Sequence, residues 1–185
     1  QVRPHIERRF GFAWSEPVKR MRETVLAMRA VWACWQEGGA LDFRGDIFNL
    51  SLMPPAFRPE ATEWGGPPVY LAAVGPKMAE LAGEVADGLF VHAFATPAYV
   101  REQLLPAVER GLARSGRSRA QFQLVYSAFI ADSTAAADPR AARAQARNSV
   151  AFYASTPAYR RVLEQHGLAD LQPRLREMTR MGAWA

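Results

Sequence analysis

An apolar run ends on the pair Gly75-Pro76, a helical stretch follows at once, and Ala86-Asp87-Gly88 leads into a second apolar run. No other feature limits the fold as much. Val69–Ala73 is apolar throughout rather than alternating, the pattern of a strand covered on both faces. Met78, Leu81, Ala82 and Val85 then recur along one side of a short helix, and Leu89–Ala93 reads as a second buried strand. Strands joined through a helix of this length lie parallel, by a right-handed crossover.

The same alternation runs along the whole chain. Ser15 stands where an N-cap is wanted, with Glu16 and Pro17 in the first turn of a helix. Val18, Met21, Val25, Met28, Trp32 and Trp35 form its apolar stripe, and Gly38-Gly39 ends it. "LDFRGDIF" reads as a hairpin turning at Arg44-Gly45, and the proline-rich stretch 54–68 as a loop. After the second buried strand, Thr96-Pro97 opens a helix that carries Val100, Leu104, Val108 and Leu112 to Ser115-Gly116. "QFQLVYSAFIAD", 121–132, is the third strand. Asp138-Pro139 and Thr156-Pro157 open two more helices by the same cap-and-proline device, and Gly167 and Asp170 mark a further break and start. The class is α/β with parallel strands, in one domain over 1–185. Three parallel strands leave both sheet edges bare, so the chain is expected to be part of a larger barrel or open sheet.

Composition excludes several functions. With 49% apolar and 22% charged residues the chain is globular. No apolar run approaches the roughly 20 residues that span a bilayer. The formal charge of +5 raises nucleic-acid binding. The bases, however, are scattered over 8–9, 19–22 and 140–147, with acids between several of them and no interleaved aromatic residues, so none is expected. Cys34, the single cysteine, rules out an internal disulfide and suits a reducing cytoplasm. It sits among tryptophans on a helix and reads as buried. "HIERR" is not a zinc motif, no His, Cys, Asp or Glu set has metal spacing, and no metal is expected.

In parallel α/β folds ligands sit at the carboxyl ends of strands. Gly75 lies just past such an end. Glycine lets the backbone approach a ligand and tolerates positive φ, and the free N–H groups around Lys77 and Met78 face any anion there. From spacing alone, an anion site and a plain tight turn are equally good readings. His92 ends the next strand. It reads as a general acid or base, a substrate contact, or a hydrogen-bonded histidine without further role. His166, beside Gly167, reads as a cation at a helix end.

"PPVYLAAVGPKMAELAGEVADGLFVHAF", with "QVRPHIERRFGFAW", "MRETVLAMRAVWACWQ" and "LDFRGDIFNLSLMPPAF", resembles the bacterial-luciferase-like superfamily, in particular its coenzyme F420-dependent oxidoreductases. The resemblance implies a (β/α)8 TIM barrel holding F420 or FMN at the carboxyl ends of its strands. Val69–Ala73 becomes the fifth strand, and the cofactor phosphate falls at Ala73, Val74, Gly75, Lys77 and Met78. Gln1, Arg3 and His5 fall in the loop bordering the cofactor ring and phosphate, where Arg3 is placed to pair with the phosphate or the acidic tail of F420. The Asp87-Gly88 turn falls on the opposite, structural end. On this mapping the chain carries about strands five to seven, and strands one to four and strand eight are missing. The groups next to the reactive ring are then expected mostly in the missing N-terminal half. The implied reaction is hydride transfer between F420 and an organic substrate by a homodimeric full-length protein. The alternatives are an FMN-dependent monooxygenase and a non-catalytic half-barrel binding module.

Overall fold

The computed structural model describes residues 3–132, 134 and 138–183. A π-helical turn, His5–Arg9, precedes the long helix α1 (Pro17–Glu37). Pro17 takes the first helical position, where its missing N–H costs nothing. Ser15 is not the cap expected from the sequence: Glu16 precedes the helix, and the Ser15 hydroxyl accepts from Arg20 Nη2 at 3.1 Å. Gly38 ends α1 at φ 77° and donates to the Cys34 carbonyl at 3.2 Å, a left-handed cap that suits a residue without Cβ.

Two short strands, β1 (Phe43–Arg44) and β2 (Asn49–Leu50), form the hairpin, with Phe43 opposite Leu50. Its turn is wider than the Arg44-Gly45 turn expected, since Gly45 N–H closes onto the Phe48 carbonyl at 2.9 Å. The buried carboxylate of Glu23 explains the width, accepting from the backbone N–H groups of Ile47 at 2.8 Å and Phe48 at 3.2 Å. Met28, Val31, Trp32 and Trp35 of α1 face Phe48 and Leu50 across an apolar groove of about 340 Å³. The proline-rich stretch holds one 3₁₀ turn, Pro55–Phe57, and no other helix or strand.

The central sheet follows. Strand β3 (Tyr70–Ala73) leads through α2 (Pro76–Val85) to β4 (Gly88–Val91). From β4 the chain passes through α3 (Pro97–Tyr99), a π-helical turn Val100–Leu104 and α4 (Leu105–Arg114) to β5 (Gln123–Tyr126). The order is β3-β4-β5, all parallel, with Ala73 opposite Val91 and Val91 opposite Tyr126. The fold is therefore α/β with a parallel three-stranded sheet, as expected. β5 is shorter than the apolar run 121–132, because β4 offers only four residues to pair with. Beyond it lie α5 (Pro139–Ala154), a 3₁₀ turn Pro157–Tyr159, α6 (Arg160–Glu164) and α7 (Leu171–Arg180).

Of the three expected caps that precede a proline directly, two hold. Thr96 Oγ1 accepts from Tyr99 N–H at 3.2 Å, and Asp138 Oδ1 accepts from Arg140 N–H at 2.8 Å. Thr156 makes no side-chain cap; its backbone carbonyl accepts from Tyr159 N–H at 3.0 Å, and the helix there opens as a 3₁₀ turn.

One face of the sheet is buried and one is not. Leu71, Ala73, Leu89 and Val91 are buried and share a core with Leu81, Val85, Leu104 and Val108. Each buried Leu or Val side chain among them contributes about 1.5–3 kcal/mol on leaving water. On the other face Ala72 is exposed and Phe90 is 45% exposed. The cover expected on both faces is thus present on one, because the helices packed on the described sheet lie on that side. Helices α2 and α4 touch backbone to backbone through Gly83 and Gly111. A Cβ on Gly83 would overlap the Val108 carbonyl, and one on Gly111 would overlap that of Glu80. Ion pairs flank this contact: Arg22 Nη2 with Glu84 Oε2 at 2.8 Å, and Arg114 Nη1 with Glu80 Oε1 at 2.6 Å. No helix among the described residues is long and apolar enough to cross a membrane.

Candidate functional site at the carboxyl ends of the strands

Strand β3 stops because Pro76 cannot donate to a ladder and fixes the φ of a first helical position. Ala73 is the last paired residue and is buried. Val74 is half-buried, and its carbonyl accepts from the hydroxyl of buried Tyr99 at 3.0 Å. Gly75 precedes α2 at φ −91° and ψ 148°, and its carbonyl accepts the first helical hydrogen bond, from Ala79 N–H at 3.2 Å. The positive φ that glycine would tolerate is therefore not used. A Cβ at this position would meet only the tip of Arg161, at 3.5 Å. Neither the backbone nor the packing of the described residues demands glycine at 75.

The N–H groups of Lys77 and Met78 have no hydrogen-bond partner among the described residues, as the first turn of a helix leads one to expect. Two cations stand close by. Lys77 is exposed and lines a groove with Pro17, Val18 and Arg114. Arg161 of α6 reaches the turn from the other side, beside the Tyr99 phenol. Burial raises the Tyr99 pKa above the ordinary tyrosine range, against the Arg161 guanidinium, which lowers it. Neither Lys77 nor Arg161 forms an ion pair among the described residues. Met78 is half-buried and packs against the core.

Arg161 escaped the sequence reading. It lies in a helix beyond β5, and no local pattern ties it to Gly75. Its only signal is that it follows Tyr159 at the start of a helix whose partner was not legible.

The other expected residues fall as follows. Arg3 Nε bonds Glu7 Oε1 at 2.9 Å, an ion pair within its own turn, and His5 begins that turn, its carbonyl accepting from Phe10 N–H at 3.1 Å. Gln1 lies outside the described residues. His92 follows β4 directly, at its carboxyl end, and is half-buried between Tyr153 and Tyr159, with ring centroids 4.6 and 4.9 Å away. His166 Nε2 lies 2.7 Å from Thr96 Oγ1. Cys34 is buried, its thiol donating to the Gly39 carbonyl at 3.1 Å. No group of three His, Cys, Asp or Glu among the described residues is placed to hold a metal ion.

The opposite end of the sheet is built for stability. Asp87 Oδ2 accepts from Arg29 Nη2 and from Val69 N–H, both at 2.7 Å. Its backbone donates to the Val69 carbonyl at 2.7 Å and accepts from Gln123 N–H at 2.9 Å. One residue thus ties α1 and the entries of β3 and β5 together.

Comparison with known proteins agrees with this layout. The family described as luciferase-like monooxygenase matches residues 1–185. An uncharacterized protein of Mycobacterium tuberculosis is 46% identical over 184 residues, covering 100% of this chain and 54% of that protein. The F420-dependent glucose-6-phosphate dehydrogenase of the same species is 37% identical over 109 residues, covering 57% of this chain and 30% of that enzyme. Among solved structures, the coenzyme F420-dependent tetrahydromethanopterin reductase from Methanopyrus kandleri superposes with a TM-score of 0.66 at 23% identity, covering 93% of this chain and 46% of that one. That likeness speaks for the fold. The chain spans about half the length of the curated relatives it matches. A match of the family over the whole sequence, a parallel α/β sheet with its free helix N-terminus at the strand ends, and a shared fold lead to one assignment: this chain belongs to the luciferase-like monooxygenase family.

Proposed function

We propose that this chain supplies about strands five to seven of a (β/α)8 barrel, and that the intact, homodimeric protein transfers a hydride between coenzyme F420 and an organic substrate. The observation that carries the reading is the Gly75 turn. Two N–H groups without a hydrogen-bond partner and two cations without an ion pair among the described residues belong to or border this strand end, together with a glycine that the described fold does not require. These are the donors and the clearance that a cofactor phosphate needs. F420-dependent enzymes among the relatives favour the deazaflavin as the group bearing that phosphate.

In this arrangement the deazaflavin, when bound, supplies the hydride chemistry. The chain's own residues hold and orient it. Lys77 and Met78 donate backbone N–H groups, and Lys77 and Arg161 offset the charge. Tyr99 fixes the Val74 carbonyl and so the angle at which the strand meets the helix. The bare face carrying Ala72 and Phe90 becomes barrel interior.

The second reading, an FMN-dependent monooxygenase, is favoured by the description of the family itself. Equilibrium titration of the intact protein with F420 and with FMN, combined with oxygen uptake, separates the two. The F420 reading expects saturable F420 binding and no oxygen consumption. Tight FMN binding with substrate-dependent oxygen uptake would replace it. Binding of neither would leave a non-catalytic half-barrel.

A further inference from the structure

Of the five tyrosines, three use their hydroxyls inside the fold. Tyr99 donates to the Val74 carbonyl at 3.0 Å, Tyr126 to that of Ala95 at 2.6 Å, and Tyr70 to the Gln123 side chain. The hydroxyls of Tyr153 and Tyr159 have no partner among the described residues. These two residues close α5 and the 3₁₀ turn after it, and both rings stand against His92. Tyr153 meets it edge-on at 74° and Tyr159 at 41°. Phe129 stacks on Tyr153 with centroids 5.6 Å apart, and Phe94 adjoins Tyr159 at 6.0 Å. The result is one half-buried aromatic wall at the carboxyl end of β4.

His92 is held in a defined state on this wall. Phe94 N–H donates to Nδ1 at 3.1 Å. A ring nitrogen that accepts carries no proton, so the neutral imidazole has its proton on Nε2. No described residue bonds Nε2. Burial lowers the His92 pKa below its ordinary value, which keeps the ring neutral at pH 7. Burial, with Tyr153 beside it, raises the Tyr159 pKa, so that phenol also keeps its proton. Three polar groups on one wall are therefore donors with no internal use. All three sit on half-buried side chains whose polar atoms stay open to solvent, and their concentration on one aromatic wall at a strand end points to a ligand.

We propose that His92, Tyr153 and Tyr159 recognise the organic substrate, and that this substrate carries an acceptor oxygen, a carbonyl or hydroxyl, on a flat apolar frame. The Nε2–H and the phenols donate to the oxygen, and the rings pack on the frame. The inference rests on the hydride-transfer reading only in calling this ligand the substrate. His92 holds the oxygen and gives up no proton, so no bond is made or broken in this step.

The test uses the intact protein with isotope-labelled histidine nitrogens and acetophenone as the probe, with ethylbenzene as the frame without oxygen. His92 is assigned by the signals lost in His92→Gln. The expected result is an Nε2–H tautomer at pH 7 and a saturable shift of Nε2 with acetophenone, absent with ethylbenzene. Tyr159→Phe, which keeps the ring, should weaken the probe about three- to tenfold. An Nδ1–H tautomer, no saturable shift, or an equal response to ethylbenzene would overturn the inference. Fluorescence titration of the same samples with F420 keeps the two claims apart. F420 bound with His92 silent overturns the recognition wall alone, whereas His92 responding without F420 binding overturns the hydride-transfer reading alone.

Discussion

The guanidinium of Arg161 lies 3.5 Å from the point where a Cβ of Gly75 would stand. The two residues belong to distant parts of the sequence, and their meeting brings a positive charge onto a helix N-terminus whose N–H groups at Lys77 and Met78 have no partner among the described residues. Cations at that end of a helix are not stabilising by themselves, since the dipole there is already positive. Their presence makes sense if an anion sits between them.

Replacing Arg161 by Gln should therefore weaken F420 binding while sparing the fold. A charge-assisted contact is worth about 1.5–3 kcal/mol, which corresponds to roughly ten- to hundredfold in affinity. The residue is exposed, so the loss should shrink at high salt. Fluorescence titration at two ionic strengths checks both statements.

Gly111→Ala should destabilise the protein at the upper end of the ~1–3 kcal/mol typical of overpacking, because the new methyl group would overlap backbone rather than a movable side chain. Gly83→Ala should do the same from the facing helix. Urea midpoints at constant m-value measure it.

At the other end of the sheet, Asp87→Ala removes two hydrogen bonds to the carboxylate, one from a guanidinium and one from the Val69 N–H. The expected loss is about 1.5–3 kcal/mol of stability with F420 affinity unchanged. A change in affinity as large as that of the Arg161 variant would contradict the division between a binding end and a structural end.

His92 gives the stability a pH dependence of known sign. Burial holds its folded pKa below the ordinary 6.5. Above pH 6.5 neither state is protonated and the full stability is present. As pH falls from 6.5 toward the depressed folded value, the unfolded chain binds a proton that the folded protein does not, and stability drops. Below the folded value the loss is complete. Urea unfolding from pH 8 to 5 should show this component in the wild type and not in His92→Gln, whose difference cancels the carboxylates.

Much of the fold was legible because Pro and Gly punctuate it. Gly75-Pro76, Thr96-Pro97 and Asp138-Pro139 mark helix starts, and Gly38 marks an end; the reason at each is local backbone chemistry. What depends on partners was not legible. Ser15 lost its cap because Arg20 takes its hydroxyl. The third strand shrank to the length its neighbour could pair. The hairpin turn opened around Glu23, a charged residue whose burial no periodicity announces. At the site, Gly75, Lys77 and Met78 follow from the turn itself, and the wall around His92 and the position of Arg161 arise only when the helices after β5 return over the strand ends.

The most direct test is the F420 dissociation constant of Gly75→Val in the intact protein, beside its urea midpoint. At φ −91° and ψ 148° valine is unstrained, and only the tip of Arg161 is near, so the fold should hold. If the phosphate rests on this turn, the branched side chain stands in its place, and the dissociation constant should rise by about tenfold or more. An unchanged constant in a folded variant would mean that the cofactor does not approach Gly75, and the account of this site would fall.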